Sequence, residues 1–522
     1  MKNIIGIILA ISAVIGIQGC TDFLIEKPES IENQINFYNS PVRVNEGVMG
    51  CYAGMANVMK DEWMFTEDRS DNTSVSSTGT SSQVRVDICD MKFMRASSSL
   101  PLIKDFWFKL FQNISNVNSV LPSTLDSTLI PTKTQRQQYE GELLFIRAYH
   151  YFTLVNLWGD MFKVTSFIGT SDEADNAKKL TRLPVAEIYD SLIIPDLKKA
   201  ANQLPASYPD EAGRITKWAA KSLLAKVYMQ IGGAANLALA KPLLVEVLNT
   251  SGHLLLTDKG NATSAYANVF STGNEMNKEI IFAIRYSGGA LGIGSPFWGT
   301  FAPDGSQNIF LKIGTPGGNN NPTLEIMSLF DANGPKETRS DACFRRWIKG
   351  SKYLPYVSKY IDASMSQALQ SENDWIVIRY ADVELLYAEI LAQGTTPDDA
   401  RAEVNKIRVR AGLTAVTVAY ASKTLALNAV YNERRLELAF EDQRWYDILR
   451  MNSAYNDPDK AITVLKGHTF TPSLDWATIY SKYKPILPPD VRFFTNEHLL
   501  LPIPQTEIDT NNDSIISQNP GY

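Results

Sequence analysis

Cysteine and histidine are scarce in this 522-residue chain, with four of each. His150, His253, His468 and His498 lie far apart in sequence and offer no metal-binding cluster. With Cys20 set aside, Cys51, Cys89 and Cys343 are widely spaced and odd in number, which gives neither a disulfide framework nor a zinc pattern. An excess of one charge is missing too: 50 Lys and Arg against 56 Asp and Glu leave −6. A mildly acidic chain has no electrostatic footprint for nucleic acid or an anionic lipid surface. The signatures HExxH, GxSxG, GxxxxGK[ST] and CxxC do not occur, so no enzyme class is indicated. After residue 17 no apolar run reaches 18 residues, which excludes a spanning helix from the mature chain.

What is present begins at the first residue. Met1-Lys2-Asn3 is a short positive head, and Ile4 to Ile17 is a nearly unbroken apolar run. That run is too short to span a bilayer and suits the apolar region of a signal peptide. Ile17-Gln18-Gly19-Cys20 follows, similar to a lipobox apart from the atypical Gln18, with Cys20 as the lipidated first residue of the mature chain. The expected plan is a signal peptide over 1–19, a lipidated Cys20 and tether over 20–41, and one domain over 42–522. The mature chain is then anchored to a membrane rather than passing through it, facing away from the cytoplasm.

Helical periodicity recurs at Trp107–Leu125, Glu140–Trp158, Ile188–Leu204, Thr216–Ile231, Leu237–Leu248, Val383–Gln393, Pro397–Ala411 and Leu425–Met451. In two places a helix, a stop glycine and a second helix follow one another, at Gly232 and at Gly394. An alanine lies six residues after each stop (Ala238, Ala400), which suits closely packed tetratricopeptide-type hairpins. The reading is a mainly α fold, a helical scaffold with insertions, in which Ile280–Ile284 is a buried strand.

Two stretches break the pattern. Residues 70–82 hold nine Ser or Thr in thirteen, after Glu67-Asp68-Arg69. Residues 287–323 hold nine Gly in thirty-seven, too polar and glycine-rich for a helix, and loops of that length usually carry function. The second loop contains Phe297, Trp298 and Phe301, with Tyr286 just before it and Asp304, Asn308 and Asn319 nearby. Sugars present C–H faces that stack on rings and hydroxyls that want Asp, Asn or Arg partners, so these residues are candidate ligand contacts. Two readings stay open: a ring platform, or rings that pin the loop to the scaffold. Trp63, Arg69, Asp71 and Asn72, fringing the Ser/Thr loop, are a second candidate set, with a solvated polar loop as the alternative. Asp68, Asp71 and Asp304 are acids on loops of the kind that can hold Ca²⁺; no other cofactor or metal is indicated. Glu433–Asp447 is the densest charge cluster. Arg434 precedes Glu437 by three residues and Arg444 follows Glu441 by three, so helical ion pairing, not a catalytic carboxylate pair, is expected.

The ordered motifs resemble one family across nearly the whole mature chain. They are Cys20-Thr21-Asp22-Phe23-Leu24; Arg147–Phe152 with Leu157-Trp158-Gly159-Asp160; and Gly213–Lys221 with Leu224-Ala225. They continue with Arg379–Glu389, Asn405–Leu413, Glu433–Glu441, Leu501–Pro504 and Gln518–Tyr522. The chain resembles the SusD/RagB family of surface nutrient-binding lipoproteins. That resemblance implies a SusD-like fold with a loop-rich ligand face, an N-terminal part over about 42–232 and a C-terminal part over about 275–522. It also implies an outer-membrane lipoprotein, not an enzyme, that captures oligosaccharides and passes them to a SusC-like TonB-dependent transporter. Capture of peptides or glycoprotein fragments for a RagA-like transporter is the alternative. The motifs are scaffold signatures, so the resemblance carries over no ligand residue.

Overall fold

A computed structural model describes residues 37–74, 83–350, 352–467, 495–510 and 516–522, apart from 93 and 95. The signal peptide, the lipobox at Cys20 and His468 lie outside the described residues. No helix among the described residues is long and apolar enough to cross a membrane.

Among the described residues the scaffold is built on α1 Pro41–Thr66, α2 Pro101–Leu125, α3 Lys133–Trp158, α4 Ile194–Gln203, α5 Lys217–Ile231, α6 Gly233–Thr250, α7 Tyr380–Ala392, α8 Ala400–Arg410, α9 Lys423–Glu437 and α10 Arg444–Tyr455. The mainly α reading holds. Periodicity missed α1, where Ser40 accepts a hydrogen bond from the Arg43 N–H and Pro41 takes the first-turn position that tolerates it. At α5, Thr216 caps the helix through the Ala219 N–H, and Gly232 ends it at φ +74°. Its burial runs around most of its circumference, since it packs against α4, α6 and α10. The small-residue spacing is corrected by two residues: Ala238 is exposed, whereas Ala240 is buried, as is Ala400. The expected single helix over Leu425–Met451 is two, α9 and α10, broken where Phe440 and Asp442 take φ of +65° and +59°. L-residues visit that region rarely, so the tertiary contacts of this turn override its helical pattern.

Strands come in pairs. β1 Thr73–Ser74 pairs with β3 Asn321–Pro322, β2 Ile280–Ile284 with β6 Trp375–Arg379, and β4 Phe344–Lys349 with β5 Lys352–Val357, all antiparallel. β2 is buried throughout, as its unbroken apolar run predicts. One large apolar cluster joins residues from Val44 to Ile516, and α7–α10 carry a second. A third, formed by Trp298, Ala302, Leu311, Tyr356 and Met365, underlies the loop-rich face.

Candidate functional site

The two loops singled out in the sequence meet. Thr73 stands opposite Pro322, Ser74 opposite Asn321, and the Thr323 N–H donates to the Asn72 carbonyl at 2.9 Å. The glycine-rich loop is far from structureless. The N–H groups of Gly317, Gly318 and Asn319 return to the carbonyls of Gly299, Ala302 and Thr300. Ser295 and Ser371 exchange backbone hydrogen bonds at 2.9 Å in both directions, locking the loop to residues 362–374. Gly294 permits this approach, because a Cβ there would lie 2.5 Å from the Gln370 Cα. Contrary to expectation, the loop also holds one helical turn, Phe297–Phe301, with Pro296 at its N-cap.

That turn decides which way the rings point. Phe297 and Phe301 are fully buried, Trp298 is 2% exposed and Tyr286 is buried. Phe297 packs on Trp375 with centroids 4.2 Å apart, Phe301 meets Trp63 edge-on at 5.3 Å, and the Tyr286 hydroxyl donates to the Ala56 carbonyl at 3.0 Å. These rings pin the loop to the scaffold; no face of them is open for a sugar to stack on, which corrects the platform reading. The second set is corrected likewise, because Trp63, Arg69, Asp71 and Asn72 are all buried. The Arg69 guanidinium lies 4.1 Å from the centre of the Trp445 ring and donates to the His498 and Leu499 carbonyls. Asp71 takes a bidentate pair from Arg444 at 2.7 and 2.8 Å, and Asn72 accepts from Arg435 at 2.8 Å. Asp68 accepts from Thr73, so these acids are engaged by protein partners; among the described residues no group of three His, Cys, Asp or Glu is arranged to hold a metal ion. Asp304 is half-buried and Asn308 exposed, and both stay on the surface of the loop.

The open aromatic surface lies elsewhere, on the β4–β5 hairpin. Trp347 is half-buried and meets half-buried Phe310 edge-on at 5.3 Å; Phe310 in turn packs on buried Tyr356 at 5.4 Å. Strand alternation sets Arg345, Trp347 and Lys349 on one hairpin face and Phe344, Arg346 and Ile348 on the other. Lys349 donates to the Gly305 carbonyl at 2.9 Å, which joins the hairpin to the loop beside Asp304. Large aliphatic side chains are exposed on the same loops: Leu291, Ile293, Ile309, Ile313 and Leu369, with Ile348 69% exposed on the hairpin. The sequence reading missed Trp347. Its signal was a Gly350-Ser351 pair between Trp347-Ile348 and Tyr353-Leu354, the mark of a two-residue hairpin connection.

The charged run around Glu437 pairs as expected in kind but over longer distances. Glu437 is held by Arg339, Arg379 and Arg410; Arg434 pairs with Asp447 and Asp382, and Arg444 with Asp71. None of these is the three-residue partner that a continuous helix would supply: the helix ends at Glu437, before Glu441 and Arg444, while Glu437, on the same helix as Arg434, is taken by arginines of other elements. Burial alone would raise the Glu437 pKa, but the three guanidinium groups hold it far below the usual carboxylate range. A carboxylate so held cannot give up its charge to act as an acid.

This arrangement, a helical scaffold under an insertion-built loop face, is matched by known proteins. The family model described as "SusD family" matches residues 345–522, and the one described as "Starch-binding associating with outer membrane" matches residues 22–229. The chain belongs to the SusD/RagB family. A SusD-like protein, P25, of Formosa agariphila is 27% identical over 494 residues, covering 85% of this chain and 89% of that one. A SusD-like protein of Bacteroides ovatus is 25% identical over 394 residues, covering 66% and 64%. Among solved structures, a laminarin-binding SusD-like protein shares 22% identity and covers 93% of this chain and all of that one, with a TM-score of 0.71. Surface glycan-binding protein A from Bacteroides fluxus shares 19% identity, covers 92% of this chain and all of that one, with a TM-score of 0.73. At such identities the structures speak for the SusD-like fold.

Proposed function

We propose that this SusD-like chain is a cell-surface lipoprotein that captures glycans without cleaving them and delivers oligosaccharides to a SusC-like TonB-dependent transporter of the outer membrane. The observation that carries the reading is the Trp347–Phe310 pair, two half-buried rings beside a loop that backbone hydrogen bonds lock to the scaffold. An aromatic surface offers a sugar its C–H contacts, and a rigid loop offers them without an ordering cost on binding. The names of the laminarin-binding and glycan-binding relatives support the ligand class. The outer-membrane description of the N-terminal family model supports the location, and Cys20 within its lipobox-like motif supplies the anchor.

Calorimetry on the mature chain with a panel of polysaccharides tests the reading. A ring platform with a few hydrogen bonds gives a Kd of tens of micromolar to millimolar, about −4 to −6 kcal/mol. Trp347→Ala is expected to abolish that binding, and no new reducing ends should form during incubation. A Cys20→Ser variant should leave the membrane fraction.

One observation favours a second reading. Exposed on the neighbouring loops are the aliphatic side chains Leu291, Ile293, Ile309, Ile313 and Leu369, and these suit apolar side chains of a peptide better than hydroxylated rings. A deletion strain that fails on peptides but grows on every polysaccharide would select it.

A further inference from the structure

The segment Phe344–Lys352 holds four basic residues and no acid, in a chain whose net charge is −6. The hairpin distributes them with a purpose that composition alone hides. On one face Arg346 lies over the Phe344 ring and its Nη2 donates to both carboxylate oxygens of Asp331 at 2.8 and 2.7 Å, so its charge is answered within the protein. On the other face Arg345 and Lys349 flank Trp347, two residues to either side, and both are exposed. Lys349 Nζ lies 5.6 Å from the centre of the Trp347 ring and uses one hydrogen bond on the Gly305 carbonyl, leaving donors for a ligand. Arg345 stands opposite Tyr356 in the ladder, and Lys352 opposite Lys349. Asp304, beside Gly305, is the acid of this rim.

Neutral sugar hydroxyls are recognised well by carboxylates, which accept, and by amides, which both accept and donate; Arg and Lys only donate. Two donors flanking a ring, at a spacing of four residues along a strand, are set to bridge negatively charged substituents on either side of a stacked sugar. Four residues of strand span about 13 Å, the reach of a short oligosaccharide. We infer that the ligand held at Trp347 is an anionic glycan, whose carboxylate or sulfate groups are paired by Arg345 and Lys349. The inference rests on the glycan-capture reading and names its ligand class.

Binding of the mature chain is measured against polygalacturonate, a sulfated galactan and a neutral β-glucan, each at 50 and 300 mM NaCl. Expected is binding to one of the polyanions at least tenfold tighter than to the β-glucan, weakened severalfold by the added salt. The polyanion that binds tells carboxylate from sulfate. Arg345→Ala and Lys349→Ala should each weaken binding about fivefold or more, with melting temperatures unchanged. Arg346→Ala removes the same charge from the opposite face and should change affinity less than twofold. An equal loss in Arg346→Ala would overturn the assignment, since bulk charge would then suffice. Tighter, salt-independent and Trp347-dependent binding of the β-glucan would overturn the anionic class while leaving glycan capture in place. Binding of peptides with none of the three glycans would overturn capture of glycans itself.

Discussion

Two tryptophans only forty-nine residues apart show what a single side chain does and does not reveal. Trp298 sits in a glycine-rich stretch that reads as a ligand loop, yet it is buried; Trp347, which the sequence analysis passed over, stays half-exposed. Local composition is silent here because burial depends on which distant segment covers the ring. For Trp298 the covers are Tyr356 and Met365, more than fifty residues away in sequence. The consequence is measurable. Trp298→Ala removes a fully packed ring and should cost about 3–5 kcal/mol, seen as a lower denaturation midpoint. Trp347→Ala, half-exposed already, should cost about 1 kcal/mol or less while removing ligand binding. A stable Trp298→Ala protein that loses binding would return that ring to the site.

At the scale of elements, the scaffold was legible and the ligand face was not. Helices were visible because burying a stripe forces a local period, and motifs such as Arg147 and Arg214 mark buried ion pairs. Arg147 grips Asp196 with two hydrogen bonds at 2.8 and 3.0 Å, and Arg214 grips Glu142 at 3.1 and 3.0 Å. The loop face follows no period. Its order comes from close approaches between segments, and Leu369 shows the cost, held at φ +57° with its side chain over Gly299. Gly294→Ala tests that locking. Its Cβ would meet backbone rather than a flexible side chain, so the loops must part, at a cost of about 1–3 kcal/mol. Hydrogen exchange at the Ser295 and Ser371 amides should accelerate, and glycan affinity should fall although no contact residue has changed. Unaltered protection at both amides would show that the loop is held by other means.

Across the whole molecule, two sets of buried carboxylates pull stability in opposite directions with pH. In the first, Glu437, Asp382 and Asp447 are buried, yet arginine and lysine partners hold their pKa values below normal, Asp382 at about 2. Their contribution is present above the ordinary carboxylate range and is lost as pH falls through it. In the second, Glu62, Glu67, Asp68 and Asp442 crowd between α1 and the α9–α10 turn, and burial is the leading cause that raises each of them. Glu62, Glu67 and Asp68 are pushed up to about 7, and Asp442, facing the other three acids, well above its ordinary value. These groups bind protons more tightly folded than unfolded, so their contribution is full below about pH 4 and is lost as pH climbs through 7. Lys92, beside Asp68 and lowered to about 8 by burial, acts only above that window. Stability should therefore peak near pH 4 to 5 and fall as pH climbs to 7, at roughly 1.4 kcal/mol per proton per pH unit at most. Asp442→Asn isolates the cause: asparagine tolerates φ of +59° and cannot ionise. That variant should match the parent near pH 4 in urea titrations and exceed it at pH 8. A parent whose midpoint instead rises from pH 5 to 8, or a variant with the same fall, would mean that these acids are ionised in the folded protein and that the repulsion among them is relieved in some other way.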